Sequence, residues 1–140
     1  MEKFHTLTAH VDGAARGNPG PAGIGVSLTT PDGVVAKEVA EPLGETTNNV
    51  AEYSALIRAL EEARGLGCME IRVITDSELM ARQINGIYRV KTPHLFLLYK
   101  RATALMAQFE KATVEHTRRE NNRVADRLSN IGADKSVKPK

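Results

Sequence analysis

Residues 71–77 read Ile71-Arg72-Val73-Ile74-Thr75-Asp76-Ser77, a short β-branched run that ends on an acidic and a hydroxyl residue. That pattern predicts a buried strand closing at Asp76. On its amino side, Thr46-Thr47-Asn48 offers capping side chains for a long helix through Arg64, stopped by Gly65 and Gly67. Its apolar face is Val50, Tyr53, Leu56, Ile57 and Leu60, and Ala51, Ala55 and Ala59 would let it lie close to a sheet. On the carboxyl side of the run, Ser77 to Ile84 predicts a short helix. A strand held between helices in this way sets the fold class as α/β.

Farther out, Leu7, Ala9 and Val11 alternate with polar residues as a first strand ending near Asp12. Gly13 to Gly20 reads as a glycine and proline loop. Ile24, Val26 and Leu28 make a second strand, Pro31-Asp32-Gly33 a hairpin turn, and Val34 to Glu41 a third strand. Toward the other end, Pro93 opens a helix to about Phe109 with Leu97, Leu98, Ala102, Leu105 and Met106 on one face. Ala112 to Thr117 is a last strand, and Asn121 or Asn122 caps a helix containing Val124, Ala125 and Leu128. The order βββ-α-β-α-α-β-α predicts an antiparallel hairpin pair continued by parallel strands, a mixed sheet flanked by helices.

At 140 residues the chain suits one domain, expected over residues 1–133 with a basic, frayed tail over 134–140. Three Tyr, three Phe and no Trp argue against an aromatic-lined pocket or a base-stacking platform. The single cysteine, Cys68, excludes an internal disulfide and a cysteine-rich zinc site, and it reads as structural. No apolar run approaches the ~20 residues of a membrane span, and Met1-Glu2-Lys3-Phe4-His5 lacks the blocks of a signal peptide. The expectation is a cytoplasmic, monomeric domain with no membrane partner. Residues 1–70 carry a net charge of −5 and residues 71–140 a net of +7. A basic face beside an acidic cluster fits a polyanion at a metal-dependent site, and equally fits a solvated mixed surface.

Four carboxylates fall where the predicted elements end or begin. Asp12 and Asp76 close strands, Glu52 lies in the first turn or so of the long helix, and Asp126 in the first turns of the last. In open α/β sheets, sites form outside the carboxyl ends of strands. Four acids converging there repel one another unless a divalent cation is bound. Oxygen ligands without His or Cys favour Mg²⁺ or Mn²⁺. Taken singly, each acid is more often a turn, cap or dipole-compensating residue; their joint placement and the sequences around them make the case.

The sequences around them carry a resemblance. Asp12-Gly13-Ala14-Ala15-Arg16-Gly17-Asn18-Pro19-Gly20-Pro21-Ala22-Gly23, Thr47-Asn48-Asn49-Val50-Ala51-Glu52, Thr75-Asp76-Ser77 and Asn122-Arg123-Val124-Ala125-Asp126-Arg127-Leu128 closely resemble, in order, the type 1 ribonuclease H family. The resemblance implies a ribonuclease H-like fold, a five-stranded mixed sheet of order 3-2-1-4-5 flanked by helices. It implies hydrolysis of the RNA strand of RNA/DNA hybrids, leaving 5′-phosphate and 3′-hydroxyl ends. Asp12, Glu52, Asp76 and Asp126 match the catalytic metal ligands, for two Mg²⁺ or Mn²⁺ ions per site. Hydrolysis of a phosphodiester needs an activated water and relief of charge on the leaving oxygen, and two ions roughly 3.5–4 Å apart provide both. By the same resemblance Asn18, Asn48 and Asn49 contact the substrate, Thr47 holds a DNA phosphate, and backbone amides near Gly13 and Ala14 meet RNA 2′-hydroxyls. Thr47 and Asn48 are also ordinary helix caps.

The chain departs from better-known members in four places. It has no Trp-containing basic protrusion, so contact with the DNA strand falls to Tyr88, Arg89 and Lys91, with packing an equal reading for Tyr88. No separate N-terminal hybrid-binding domain is expected. In place of a Gly-His-x-Gly loop it carries His116-Thr117-Arg118-Arg119-Glu120-Asn121-Asn122, resembling the compact archaeal-like branch. His116, Arg118, Arg119 and Asn122 are therefore candidate catalytic-loop residues. Finally, Glu78 stands where a neutral side chain often meets substrate. These departures leave cleavage of double-stranded RNA open as a side activity. A catalytically silent nucleic-acid-binding or interaction domain is the alternative from another class; retention of all four acids argues against it.

Overall fold

The computed structural model describes residues 4–137. Its elements are β1 (Thr6–Ala15), β2 (Gly20–Thr29), β3 (Val35–Thr46), α1 (Asn48–Gly65), β4 (Glu70–Thr75), α2 (Glu78–Ile84), α3 (Pro93–Met106), β5 (Lys111–His116) and α4 (Arg123–Ser136), with a 3-10 turn at Arg119–Asn121. The five strands form one sheet in the order β3-β2-β1-β4-β5. β1, β2 and β3 pair antiparallel, while β1–β4 and β4–β5 are parallel. The expected fold class and strand order are those observed. Among the described residues no helix is long and apolar enough to cross a membrane.

Alternation along β1 explains how the sheet is covered. Leu7, Ala9 and Val11 are fully buried on the face where α1 lies, and the next residue on that face is Gly13. A Cβ at Gly13 would stand 2.2 Å from the Ala51 carbonyl carbon, so α1 rests on bare backbone. Ala51, Ala55 and Ala59 are fully buried, as their small size predicts. On the opposite face, Gly25 is the register partner of Asp12, and α4 packs there across β2, β3 and β1. A Cβ at Gly25 would meet the Ala125 carbonyl at 2.2 Å, and one at Gly23 the Ala133 amide nitrogen at 2.1 Å. β2 is therefore buried on both faces, with Ile24, Val26 and Leu28 toward α1 and small residues toward α4.

Several boundaries differ from expectation. β1 continues to Ala15 and β2 begins at Gly20, which shortens the glycine loop to residues 16–19. β3 runs to Thr46 because Pro21 and Gly20 extend the ladder opposite Glu45 and Thr46. On α3 it is Leu95 and Ala102 that are buried, whereas Leu97 is 65% exposed. The tail expected from residue 134 begins instead inside α4. Lys135 Nζ donates to Ala40 O at 2.8 Å. Ser136 Oγ donates to Ala22 O and accepts the amides of Leu43 and Gly44. These bonds to β2 and β3 hold the helix end down. Residues 138–140 of that tail, like Met1–Lys3, lie outside the described residues.

Backbone-to-backbone approach leaves a new side chain nowhere to go. Gly25→Ala should cost about 1–3 kcal/mol of unfolding free energy, the range for overpacking a core. Urea denaturation checks this, and a wild-type midpoint would show that α4 yields without cost.

Candidate active site

Parallel pairing brings two of the four acids together. Val11 and Thr75 are register partners, so the next residues, Asp12 and Asp76, lie side by side. Asp76 directly follows β4, whereas Asp12, expected to close β1, lies inside it because β1 runs on to Ala15 alongside β2. Asp12 is only 5% exposed. Glu52 is the fifth residue of α1, just past its first turn. There it does not serve the helix terminus; its Oε1 accepts the Gly13 amide at 2.8 Å, which bends the side chain over the end of β1. One oxygen from each of Asp12, Glu52 and Asp76 lies within 4.8 Å of the others, a group able to hold a metal ion. Asp126, in the first turn of α4, is not one of that trio but comes close enough to push up the carboxyls of Asp12 and Asp76. It lines the same cleft of about 480 Å³, together with Ala15, Arg16, Asn48, Arg119 and Asn130. A second group, His5, Glu70 and Glu110, sits at the amino ends of the parallel strands, at the other pole.

Crowding and burial oppose full ionisation of the trio. Burial first, then the charges of Glu52 and Asp76, push the Asp12 carboxyl up to about 9. Burial pushes Glu52 up to about 8; the Gly13 amide works against this and the Asp76 charge adds to it. Asp76 is also raised by burial, with hydrogen bonding to Asp12 and the Arg119 charge pulling it back. Such mutual perturbation of acids in a cleft marks a functional site, and a divalent cation is the counter-charge that lets all three ionise together.

The other expected site residues divide. Thr47 Oγ1 caps α1 by accepting the Val50 amide at 3.3 Å. Asn18 Oδ1 accepts the Asn48 amide, and Asn48 Oδ1 the Ala15 amide, both at 3.1 Å. This clasp holds the glycine loop on the amino end of α1. Asn48 reaches the cleft, and Asn49 is exposed beside it. Gly13 and Ala14 line the cleft, but the Gly13 amide, expected to meet a 2′-hydroxyl, is committed to Glu52. Arg119 comes to Asp126, Nη2 to Oδ1 3.5 Å. Arg118 turns to Glu120 at 3.9 Å. His116, the exposed last residue of β5, lies outside the carboxylate cleft, beside Glu78 and Arg82. Asn122 is buried, its Nδ2 donating to Val11 O at 2.9 Å, so it joins the start of α4 to the residue before Asp12. Tyr88, Arg89 and Lys91 occupy the exposed α2–α3 connection, with Arg82 over the Tyr88 ring at 5.5 Å. Arg16, Ser129 and Asn130 were not foreseen. Arg16 pairs with Asp134, and Asn130 Nδ2 donates to the Asp126 carbonyl at 2.9 Å. The α4 residues lie one turn past Asp126, and that spacing was their only signal.

A family model described as Reverse transcriptase-like matches residues 10–132. A bifunctional protein of Mycobacterium tuberculosis is 44% identical over 129 residues, 91% of this chain and 35% of that protein. Ribonuclease HI of Halobacterium salinarum is 40% identical over 126 residues, 90% of this chain and 63% of that one. The chain therefore spans about a third of the first relative and less than two thirds of the second. LC11-RNase H1, solved in complex with an RNA/DNA hybrid, superposes with a TM-score of 0.89 at 43% identity, over 94% of this chain and 99% of that one. Sheet order and acidic cleft together define an α/β protein of the ribonuclease H-like class. Within it, the chain belongs to the Reverse transcriptase-like family, on the branch of the type 1 ribonucleases H.

Because the carboxyls of Asp12 and Glu52 are raised, the metal-free folded state binds protons that the unfolded chain, with ordinary values near 4, has released. Stability from these groups is present in full below about pH 4 and is lost as pH climbs toward about 9. In EDTA the thermal midpoint should fall across that window, and Mg²⁺ should flatten the fall. A midpoint that rises with pH in EDTA would contradict the electrostatics of the cleft.

Proposed function

We propose that this chain is a metal-dependent endonuclease that hydrolyses the RNA strand of RNA/DNA hybrids at the cleft of Asp12, Glu52, Asp76 and Asp126. The observation that carries this reading is the trio of acids, Asp12 buried and Glu52 and Asp76 partly so, gathered where the parallel strands β1 and β4 lie side by side, in a chain whose relatives are named ribonuclease H. The donors are hard oxygens with no His or Cys among them, a set that suits two Mg²⁺ or Mn²⁺ ions. Asp12, Glu52, Asp76 and Asp126 would hold such ions, whose chemistry there would be to acidify a water and relieve charge on the leaving 3′-oxygen, with 5′-phosphate and 3′-hydroxyl ends as products.

The chain's own residues do the rest. Asp12, Glu52 and Asp76 supply negative charge, and the Gly13 amide keeps Glu52 turned toward it. Arg119 stands over Asp126, where a guanidinium can meet a phosphate oxygen. Asn48 and Asn49 project at the amino end of α1, beside the mouth of the cleft, to contact the substrate's sugar edge. Tyr88, Arg89 and Lys91 present an exposed patch for the DNA strand, whose phosphates such cations and hydroxyls can bind. Glu78 is held by Arg82 at 2.8 Å, so its charge is balanced within α2. Double-stranded RNA belongs in the test as a second substrate.

Labelled hybrid, double-stranded RNA and double-stranded DNA, each with Mg²⁺, Mn²⁺ or EDTA, form the deciding assay. Hybrid should be cut only with metal, and full activity in EDTA or 2′,3′-cyclic phosphate products would overturn the reading. Asp76→Asn should stay folded and still bind hybrid while turnover falls on the order of 10²–10³-fold or more, as when one electrostatic stabiliser is removed. Near wild-type cleavage by that variant at saturating Mg²⁺ would remove Asp76 from the ligand set.

The exposed patch makes its own prediction. Arg89→Ala with Lys91→Ala should weaken hybrid binding and lower the slope of log K against log salt by up to about two units. An unchanged slope in a binding titration would show that neither residue meets phosphate.

A further inference from the structure

Ser129 is fully buried on α4, three residues beyond Asp126. Its hydroxyl lies 3.0 Å from Asp12 Oδ2 and 2.8 Å from the Asp126 carbonyl oxygen. A serine inside a helix ordinarily returns its hydroxyl to a carbonyl three or four residues back. Here a carboxylate competes for the same proton, and an ionised carboxylate is the stronger acceptor.

The contact depends on how close α4 comes to the sheet. A Cβ at Gly25 would stand 2.4 Å from Ser129 N, and one at Gly23 would stand 2.6 Å from Ser129 O. Bare backbone at those two positions lets this turn of the helix reach the strand next to β2, where Asp12 pairs with Gly25. Asp12 also contributes an oxygen to the group with Glu52 and Asp76. An Asp carboxylate has a broad χ2 well, so without a fixed donor it must be ordered when a cation binds.

We propose that Ser129 is a positioning residue, donating to Asp12 Oδ2 so that the carboxylate stands in the orientation that receives a divalent cation. The proposal rests on the ribonuclease H reading only in taking the trio as a cation site. Partners of this kind, bonded to a metal ligand and not to the metal, commonly set affinity by 10–100-fold. Nothing in the four acidic motifs marks this serine.

The test titrates Mn²⁺ alone into the full chain by calorimetry, for wild type, Ser129→Ala and Ser129→Cys, whose thiol is a similar-sized, weaker donor. Thermal midpoints in EDTA and hybrid cleavage at limiting and saturating Mn²⁺ are read on the same preparations. Ser129→Ala should bind Mn²⁺ about tenfold more weakly, lose cleavage at limiting Mn²⁺ and recover it at saturation, with KM for hybrid unchanged. Ser129→Cys should fall between the two. A lowered midpoint in EDTA with a wild-type Kd for Mn²⁺ would mean that Ser129 serves packing alone, and would overturn the proposal. Should Ser129→Ala not fold, a wild-type Kd in Ser129→Cys overturns it equally. Wild-type protein that binds Mn²⁺ yet leaves hybrid intact defeats the ribonuclease H reading and leaves the Ser129 comparison standing. Wild-type protein that takes up no Mn²⁺ defeats both.

Discussion

Three carboxylates drawn within 4.8 Å of one another, one of them almost wholly buried, repel at a cost that only protons or a cation relieve. Every neighbouring element answers to that constraint. β1 and β4 run parallel, so their acidic ends point the same way. α1 brings Glu52 in from one face of the sheet and α4 brings Asp126 and Ser129 from the other. Three of the acids are held from behind by another element: Glu52 by the Gly13 amide, Asp12 by the Ser129 hydroxyl, Asp126 by the first turn of α4. A site assembled from four separate chain segments is held together by the fold. In return it withholds stability from the metal-free protein at neutral and alkaline pH.

Glycine makes the convergence possible, and in this role it matters for lacking a Cβ, not for its flexible backbone. Gly13 admits α1 and Gly23 and Gly25 admit α4 to distances at which any Cβ would collide with helix backbone. The register pairs Asp12 with Gly25, so the residue that must be approached most closely has the least bulk beside it. Asn122 reinforces the same joint from the loop side, its amide bonded to the Val11 carbonyl. Its Oδ1 is the one buried side-chain oxygen or nitrogen without a partner among the described residues, a polar atom held in place by the packing of α4 on β1.

Two of the departures from better-known relatives lie in connections between elements. The α2–α3 connection carries Tyr88, Arg89 and Lys91 on an exposed turn, and the loop before α4 is a compact 3-10 turn that presents Arg119 to the cleft and turns Arg118 to Glu120. Cys68 has no part in this chemistry; buried at the start of β4, its thiol donates to the Glu70 carbonyl.

Period and punctuation were enough to read much of this molecule from its residues alone. The alternation Leu7, Ala9, Val11, the β-branched run ending at Thr75, and the Thr47 cap with its alanine stripe each encode a local state, because a strand or a helix face is a property of neighbours in sequence. The four acids were legible as candidates from their joint placement on the predicted elements and from the sequences around them. What the sequence could not state is distance across the chain. That the Gly13 amide belongs to Glu52, that Arg119 and not Arg118 meets Asp126, that His116 points elsewhere, and that residues 134–136 finish a helix on β3 all depend on where α1 and α4 come to rest on the sheet. Ser129 shows the limit most clearly. It lies 117 positions from Asp12 in sequence and 3.0 Å from it in space, and only close packing over two glycines joins them.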